Sequence, residues 1–319
     1  MAVDSSIPKG QQHVDVQREN PHLQTSAQVV VGVDGSEGGD LAVRWAAEVA
    51  AQRSRALRIV HGLDIAAFQS VLGSSYDVMD ASAIQVAHSR GTEITDDARR
   101  LAQKVSPDLD IATEVSDASP ARVLIHHSKT AHFVVLGATG TVGTFAHLGS
   151  TLLAVTSHGH GSIVVVRDTG TAQHIRHDGP VVVGIDGSPV SEVAIAAAFA
   201  EAADRGTELV ALHSWSDRDF GEFAGKPAPG VDATELETAE YAILAERLAG
   251  WQEKYPDVHL ARKVYLAGPT GLLMQWSHSA QLIVVGSRGR GGFTGLLLGS
   301  TSSFLVQHAH SPVLVAHPA

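Results

Sequence analysis

VVVGIDGS at residues 181–188 repeats VVVGVDGS at residues 29–36 with a single change. A short Val-rich run of this kind reads as a buried strand of a parallel sheet. Asp-Gly-Ser directly after it, ahead of helical spacing, reads as a turn and a helix cap. The spacing continues through Leu41, Trp45 and Val49 in the first copy, and in the second Ser188–Pro189 places a cap before proline at the first helical position. A strand therefore runs straight into a helix, twice.

The repetition extends outward from these two stretches. LRIVHGLD at 57–64 returns as LVALHSWS at 209–216, and IATEVSDASPARVL at 111–124 as LARKVYLAGPTGLL at 260–273. FVVLGATG at 133–140 returns as LIVVGSRG at 282–289, and GST at 149–151 as GST at 299–301. The period, about 150 residues, is too long for a solenoid and fits two copies of one domain. The copies span 29–167 and 181–319, joined by a linker at 168–180 with two Gly and one Pro. Residues 1–28, polar and without periodicity, read as a disordered tail. Apolar runs near 29–33, 57–61, 133–136 and 163–166, with a weaker one at 111–115, alternate with helical spacings at Ile94, Ala98, Leu101 and Val105 and, in the second copy, Leu244, Leu248 and Trp251. The expected fold class is α/β, two tandem doubly wound open parallel sheets. The last runs, 163–167 and 313–317, are expected at sheet edges, where apolar strands invite pairing.

Composition narrows the function classes. The 319 residues carry a net charge of −11, which argues against a broad nucleic-acid footprint. No Cys is present, so disulfides, thiol catalysis and Cys-type metal sites are excluded. No run approaches a membrane span and the first residues lack a signal-peptide pattern, so a cytoplasmic protein without membrane contact is expected. The 18 His include the pairs His158/His160 and His308/His310, whose spacing at helix ends points their rings apart and offers no converging metal set. No GxSxG motif or nucleophile–base spacing assigns a catalytic residue.

A doubly wound sheet binds ligands at the carboxyl ends of its strands, where the strand order reverses. Asp186 ends the first strand of the second copy and Gly286 ends the fourth, opening the stretch GSRGRGGFTGLLLGSTS at 286–302. This stretch lacks the Lys of a Walker A loop and does not fit GxGxxG. Gly184 would let a ligand approach the backbone, the amides near Gly289 and Ser300 could donate to phosphate oxygens, and Arg288 and Arg290 could add charge-assisted contacts. Asp34 and Asp186 have a second reading as simple helix caps.

The set VGIDGS, then Gly286, two residues, Gly289, nine residues, Gly299 and Ser300, resembles the ATP-binding branch of the universal stress protein family, in its tandem two-domain form. The resemblance covers residues 29–317. It implies a Rossmann-like sheet of strand order 3-2-1-4-5 and ATP between the Asp and the glycine loop, often with a divalent ion such as Mg2+. On this chain it implies Gly184 and Asp186 at the ribose and phosphate side, Ser214 near the adenine, and Gly286, Gly289, Gly299, Ser300, Thr301 and Ser302 around the phosphates. It further implies pairing of the last strands, as a homodimer or as an intrachain pseudo-dimer, and an unnamed protein partner.

The first copy keeps Gly32, Asp34, Gly137, Gly140, Gly149, Ser150 and Thr151 but has only eight residues between Gly140 and Gly149. Ala138, Thr139 and Thr141 stand where the second copy has Ser287, Arg288 and Arg290. Each lost guanidinium contact weakens phosphate binding by about 1.5–3 kcal/mol, so the first pocket is expected to bind ATP more weakly. Three functional classes follow: a nucleotide-dependent regulator of stress or dormancy responses, a slow metal-dependent ATPase or nucleotidyl-transfer enzyme on the same pocket, and a structural module with empty pockets.

Overall fold

The computed structural model describes residues 20–67, 81–138, 149–170, 175–214, 233–289 and 298–318. Among the described residues ten strands form one sheet: β1 Val29–Gly32, β2 Leu57–Gly62, β3 Ile111–Ser116, β4 Phe133–Gly137 and β5 Ser162–Val166, then β6 Val181–Ile185, β7 Leu209–Ser214, β8 Leu260–Tyr265, β9 Leu282–Gly286 and β10 Val313–Ala316. Their order is β3-β2-β1-β4-β5-β10-β9-β6-β7-β8, so each half has the order 3-2-1-4-5 and the second mirrors the first. Within a half all pairs are parallel. Where the halves meet, β5 and β10 pair antiparallel, Ile163 opposite Val315 and Val165 opposite Val313. The strands expected at the edges of the two sheets and open to pairing thus pair with each other at the centre of a continuous sheet, and their Val and Ile side chains are fully buried. The true edges, β3 and β8, are half-buried and carry polar residues such as Glu114 and Lys263, which explains the weak apolar signal at 111–115.

Helices cover both faces. One face carries α1 Glu37–Gln52, α2 Ala81–Val105, α5 Pro189–Arg205 and α6 Ala233–Lys254. Trp45, Ala98, Phe199 and Leu244 from these helices join a single apolar layer that runs through both halves. The other face carries α3 Pro120–Ser128, α4 Ser150–His158, α7 Pro269–Ser277 and α8 Ser300–His308, with Leu124, Leu152, Leu273 and Leu305 facing the sheet. Each fully buried side chain of this size is worth roughly 1.5–3 kcal/mol.

Polar contacts also join the halves. Glu201 on α5, only 1% exposed, lies between two guanidiniums: Arg53 Nη2 donates to its Oε1 at 2.6 Å and Arg205 Nε to its Oε2 at 3.1 Å. Arg53 and Arg205 hold equivalent places in the two copies, and so do their further partners, His132 and Gln281. Residues 20–28, expected to belong to the tail, are ordered instead. Pro21–Leu23 form a 3-10 turn, His22 Nδ1 bonds the Ala131 carbonyl at 2.7 Å, and Arg55 donates to the carbonyls of Gln24 and Ala27. A buried imidazole and a guanidinium supply here the anchoring that apolar periodicity did not signal.

Candidate functional site

The two Asp-Gly-Ser turns are built alike. Asp186 Oδ1 accepts from the Ser188 amide at 2.9 Å, Gly187 takes φ +77°, and Ser188 caps α5 by accepting from the Ser191 amide at 3.2 Å. In the first half Asp34 accepts from Ser36 at 3.0 Å, Gly35 takes φ +78°, and Ser36 accepts from Gly39 at 3.0 Å. A left-handed residue must follow each Asp, so glycine is required there. The serines, not the aspartates, are therefore the helix caps, and each Asp closes the turn ahead of its helix.

The second oxygen of Asp186 points at the glycine loop. A Cβ built on Gly289 would lie 2.4 Å from Asp186 Oδ2, closer than real side chains approach. Glycine here lets the loop pass the end of β6 this closely without displacing the carboxylate. The loop returns to the same place after its undescribed part: the Gly299 amide donates to the Ser287 carbonyl at 2.7 Å, and a Cβ on Gly299 would stand 3.4 Å from Arg288 Cα. Ser302 Oγ donates to the Gly286 carbonyl at 2.6 Å and fastens the first turn of α8 to the end of β9. Thr301 Oγ1 meets Thr270 Oγ1 at 3.2 Å. Gly299 stands at the N-cap of α8 without a side-chain cap, so the first amides of α8 keep their donors unused by a capping side chain.

Register places Ser214 beside this pair. Ile185 is opposite His213, so Asp186 and Ser214 follow each other along the carboxyl edge. Ser214 Oγ donates to the Ala267 carbonyl. In the first half Gly62 takes the place of Ser214, and a Cβ there would lie 2.6 Å from Pro120 N, so the crevice between the second strand and the third helix is tighter on that side.

The remaining sequence-derived positions divide by location. Gly184 leaves room, but Leu273 fills it: its Cδ1 would be 2.9 Å from a Cβ on Gly184, as Leu124 Cδ1 would be 2.7 Å from one on Gly32. These two glycines admit a helix side chain to the sheet. Gly137 lies against the first turn of α1, a Cβ there falling 2.3 Å from the Gly38 carbonyl oxygen. Gly149 is the N-cap of α4 and has no described atom within 4 Å of a Cβ built on it, with Ser150 and Thr151 opening the helix. Gly140, Thr139, Thr141 and Arg290 lie outside the described residues. Arg288 is described and exposed.

Several site-adjacent residues had no role in the sequence reading. His213, 5% exposed, is held between the Ile185 carbonyl at Nδ1, 2.7 Å, and Glu240 Oε2 at Nε2, 3.0 Å. It thereby braces the peptide that precedes Asp186. His61 makes the same contact with the Val33 carbonyl at 2.8 Å. The signal was available in LRIVHGLD and LVALHSWS, where the histidine recurs at one position. Among the four helix-end histidines, His158 Nδ1 bonds the Ala154 carbonyl at 3.0 Å, the His308 ring meets Phe304 at 4.4 Å, and the His310 ring stacks on His278 at 3.9 Å. Among the described residues no group of three or more His, Asp or Glu is arranged to hold a metal ion, and no helix is long and apolar enough to cross a membrane.

Chemically the pocket has two unlike sides. A carboxylate accepts hydrogen bonds, so Asp186 suits hydroxyl or amine donors. The amides of the loop and of the α8 N-terminus, with Arg288, suit an anion.

Comparison with known proteins agrees with this architecture. A universal stress protein of Mycolicibacterium smegmatis is 42% identical over 300 residues, covering 91% of this chain and 97% of that protein. Universal stress protein Rv2623 of Mycobacterium tuberculosis is 38% identical over 299 residues, covering 92% and 97%. Among solved structures, a universal stress protein from Archaeoglobus fulgidus superposes with a TM-score of 0.64 at 17% identity, covering 91% of this chain and 98% of that one. The Universal stress protein family matches residues 26–167 and again residues 179–317, and the chain therefore belongs to that family as two consecutive domains.

Proposed function

We propose that the chain is an ATP-binding regulator of stress or dormancy responses, with its stronger nucleotide site at the carboxyl edge of the second domain. The observation that carries this reading is the approach of Asp186 Oδ2 to Gly289, which joins an acceptor for ribose hydroxyls to a glycine loop suited to phosphates. Ser214 would face the base side, and the first amides of α8, from Ser300 to Ser302, would face the phosphates. A divalent ion on those phosphates would draw its ligands chiefly from the nucleotide and water. Binding would change the surface that a partner reads around this pocket.

The first domain is the weaker site in this reading. It has Ala138 where the second has Ser287, a shorter loop, and a crevice narrowed at Gly62 by Pro120. Mass spectrometry of nucleotide carried by the purified chain, combined with calorimetric titration of ATP into wild type, D34A and D186A, tests the proposal. D186A is expected to remove the tighter phase and D34A the weaker one. Two equal sites, or full binding by D186A, would refute it.

A further inference from the structure

Each domain's last strand is followed by a residue that reaches across the junction into the other domain. Arg167 follows β5. Its Nη2 donates to the carbonyl of Val306 at 2.7 Å and to that of Gln307, both in the last turn of α8. His317 follows β10 in the equivalent place, and its backbone amide donates to the Gly161 carbonyl, just past α4, at 2.8 Å. The strand ends also grip the loop openings of their own domains. The Ala138 amide donates to the Val166 carbonyl at 2.9 Å, and the Ser287 amide to the Ala316 carbonyl at 2.8 Å.

These contacts bear on the second pocket in a specific way. The last carbonyls of a helix have no partner within it, and a cation there also meets the negative end of the helix dipole. The Ala309 amide takes the Leu305 carbonyl, which leaves Val306 and Gln307 to Arg167. Helix α8 has nine residues, so Arg167 holds a rod about 13 Å long by one end. The other end carries Ser300, Thr301 and Ser302 and has no capping side chain of its own. Burial lowers the Arg167 guanidinium to about 10, which still leaves it cationic at neutral pH. Burial, with the fields of His160 and Arg288, brings His317 to about 4, so at neutral pH it offers no charge to the end of α4.

We propose that Arg167, a residue of the first domain, is a positioning residue for the nucleotide site of the second, fixing α8 so that its first amides meet the phosphates. This rests on the ATP reading given above. It makes the second pocket dependent on the first domain.

The test uses the full chain with R167M, which keeps much of the side chain's length but cannot donate, and R167K, which restores a cationic donor. Amide hydrogen exchange over residues 300–308 and ATP titration are read on each. R167M is expected to speed exchange in α8 and to weaken the tighter ATP phase by about tenfold, the scale of one lost charged hydrogen bond. R167K is expected to recover most of both. Unchanged exchange in α8, unchanged affinity in R167M, or R167K as impaired as R167M would overturn the proposal. A wild type that binds no ATP while R167M still loosens α8 would overturn the nucleotide reading and the ligand role assigned to Arg167, leaving only a contact between domains.

Discussion

Replacing Gly289 by Ala places a methyl group where the proposed pocket closes. Its Cβ would lie 2.4 Å from Asp186 Oδ2, whereas an unstrained carbon–oxygen contact needs about 3.3 Å. The carboxylate cannot simply turn away, because its other oxygen holds the Ser188 amide at 2.9 Å ahead of α5. Either that bond breaks, at about 1.5–3 kcal/mol for a charged acceptor, or the loop backs away from β6. Both outcomes separate the donor-binding side of the pocket from the anion-binding side. A loss of that size corresponds to roughly a ten- to hundredfold rise in Kd for ATP at the second site. Calorimetric titration of wild type and G289A measures it. G299A serves as the matched control, since its Cβ would meet Arg288 Cα at 3.4 Å, an ordinary contact, and a smaller loss is expected. ATP affinity in G289A within twofold of wild type would refute the reasoning, because the close approach would then have no part in binding.

Two further predictions concern stability. His132 and His317 are each depressed to about 4, first by burial and then by neighbouring cations. The folded values lie below the ordinary 6.5, so the stabilisation is complete above pH 6.5 and is lost as pH falls toward 4, where the unfolded chain takes up protons that the native state refuses. Each contributes on the order of 2–3 kcal/mol to that loss, and denaturant unfolding at pH 7 and 4.5 should show a steeper decline in wild type than in the H132Q/H317Q double variant. At Glu201 burial raises the carboxyl, but Arg53 and Arg205 outweigh it and hold the value below the ordinary 4.5. E201Q leaves two guanidiniums facing a neutral amide and should cost about 3–5 kcal/mol by denaturant unfolding at pH 7, with the difference shrinking as pH falls below 4.5; a loss under 1 kcal/mol would show that the arginines find other partners.

Much of the architecture was legible because it is local and written twice. Val-rich runs followed by Asp-Gly-Ser specify strand, turn and capped helix from neighbouring residues alone, the repetition of the whole series points to two domains, and the strand order of each half was implied by the family resemblance. The glycine loop was legible for the same reason, as were Asp34 and Asp186 at the strand ends. The edge strands β3 and β8 were faint, since one polar face leaves little apolar pattern.

What tertiary structure alone decided depends on contacts between residues far apart in the chain. Spacing could not tell that Gly184 makes room for Leu273 whereas Gly289 makes room for Asp186, because both are glycines near a strand end and only the neighbour differs. It could not place β5 beside β10, pair Arg53 with Glu201, or carry Arg167 to the end of α8, contacts that span more than a hundred residues. The sequence determined two similar domains, each with an Asp at a strand end and a glycine loop. Only the folded chain decided that the two share one sheet and hold each other's helices, because such pairings are chosen by geometry across the junction and leave no periodic mark along the chain.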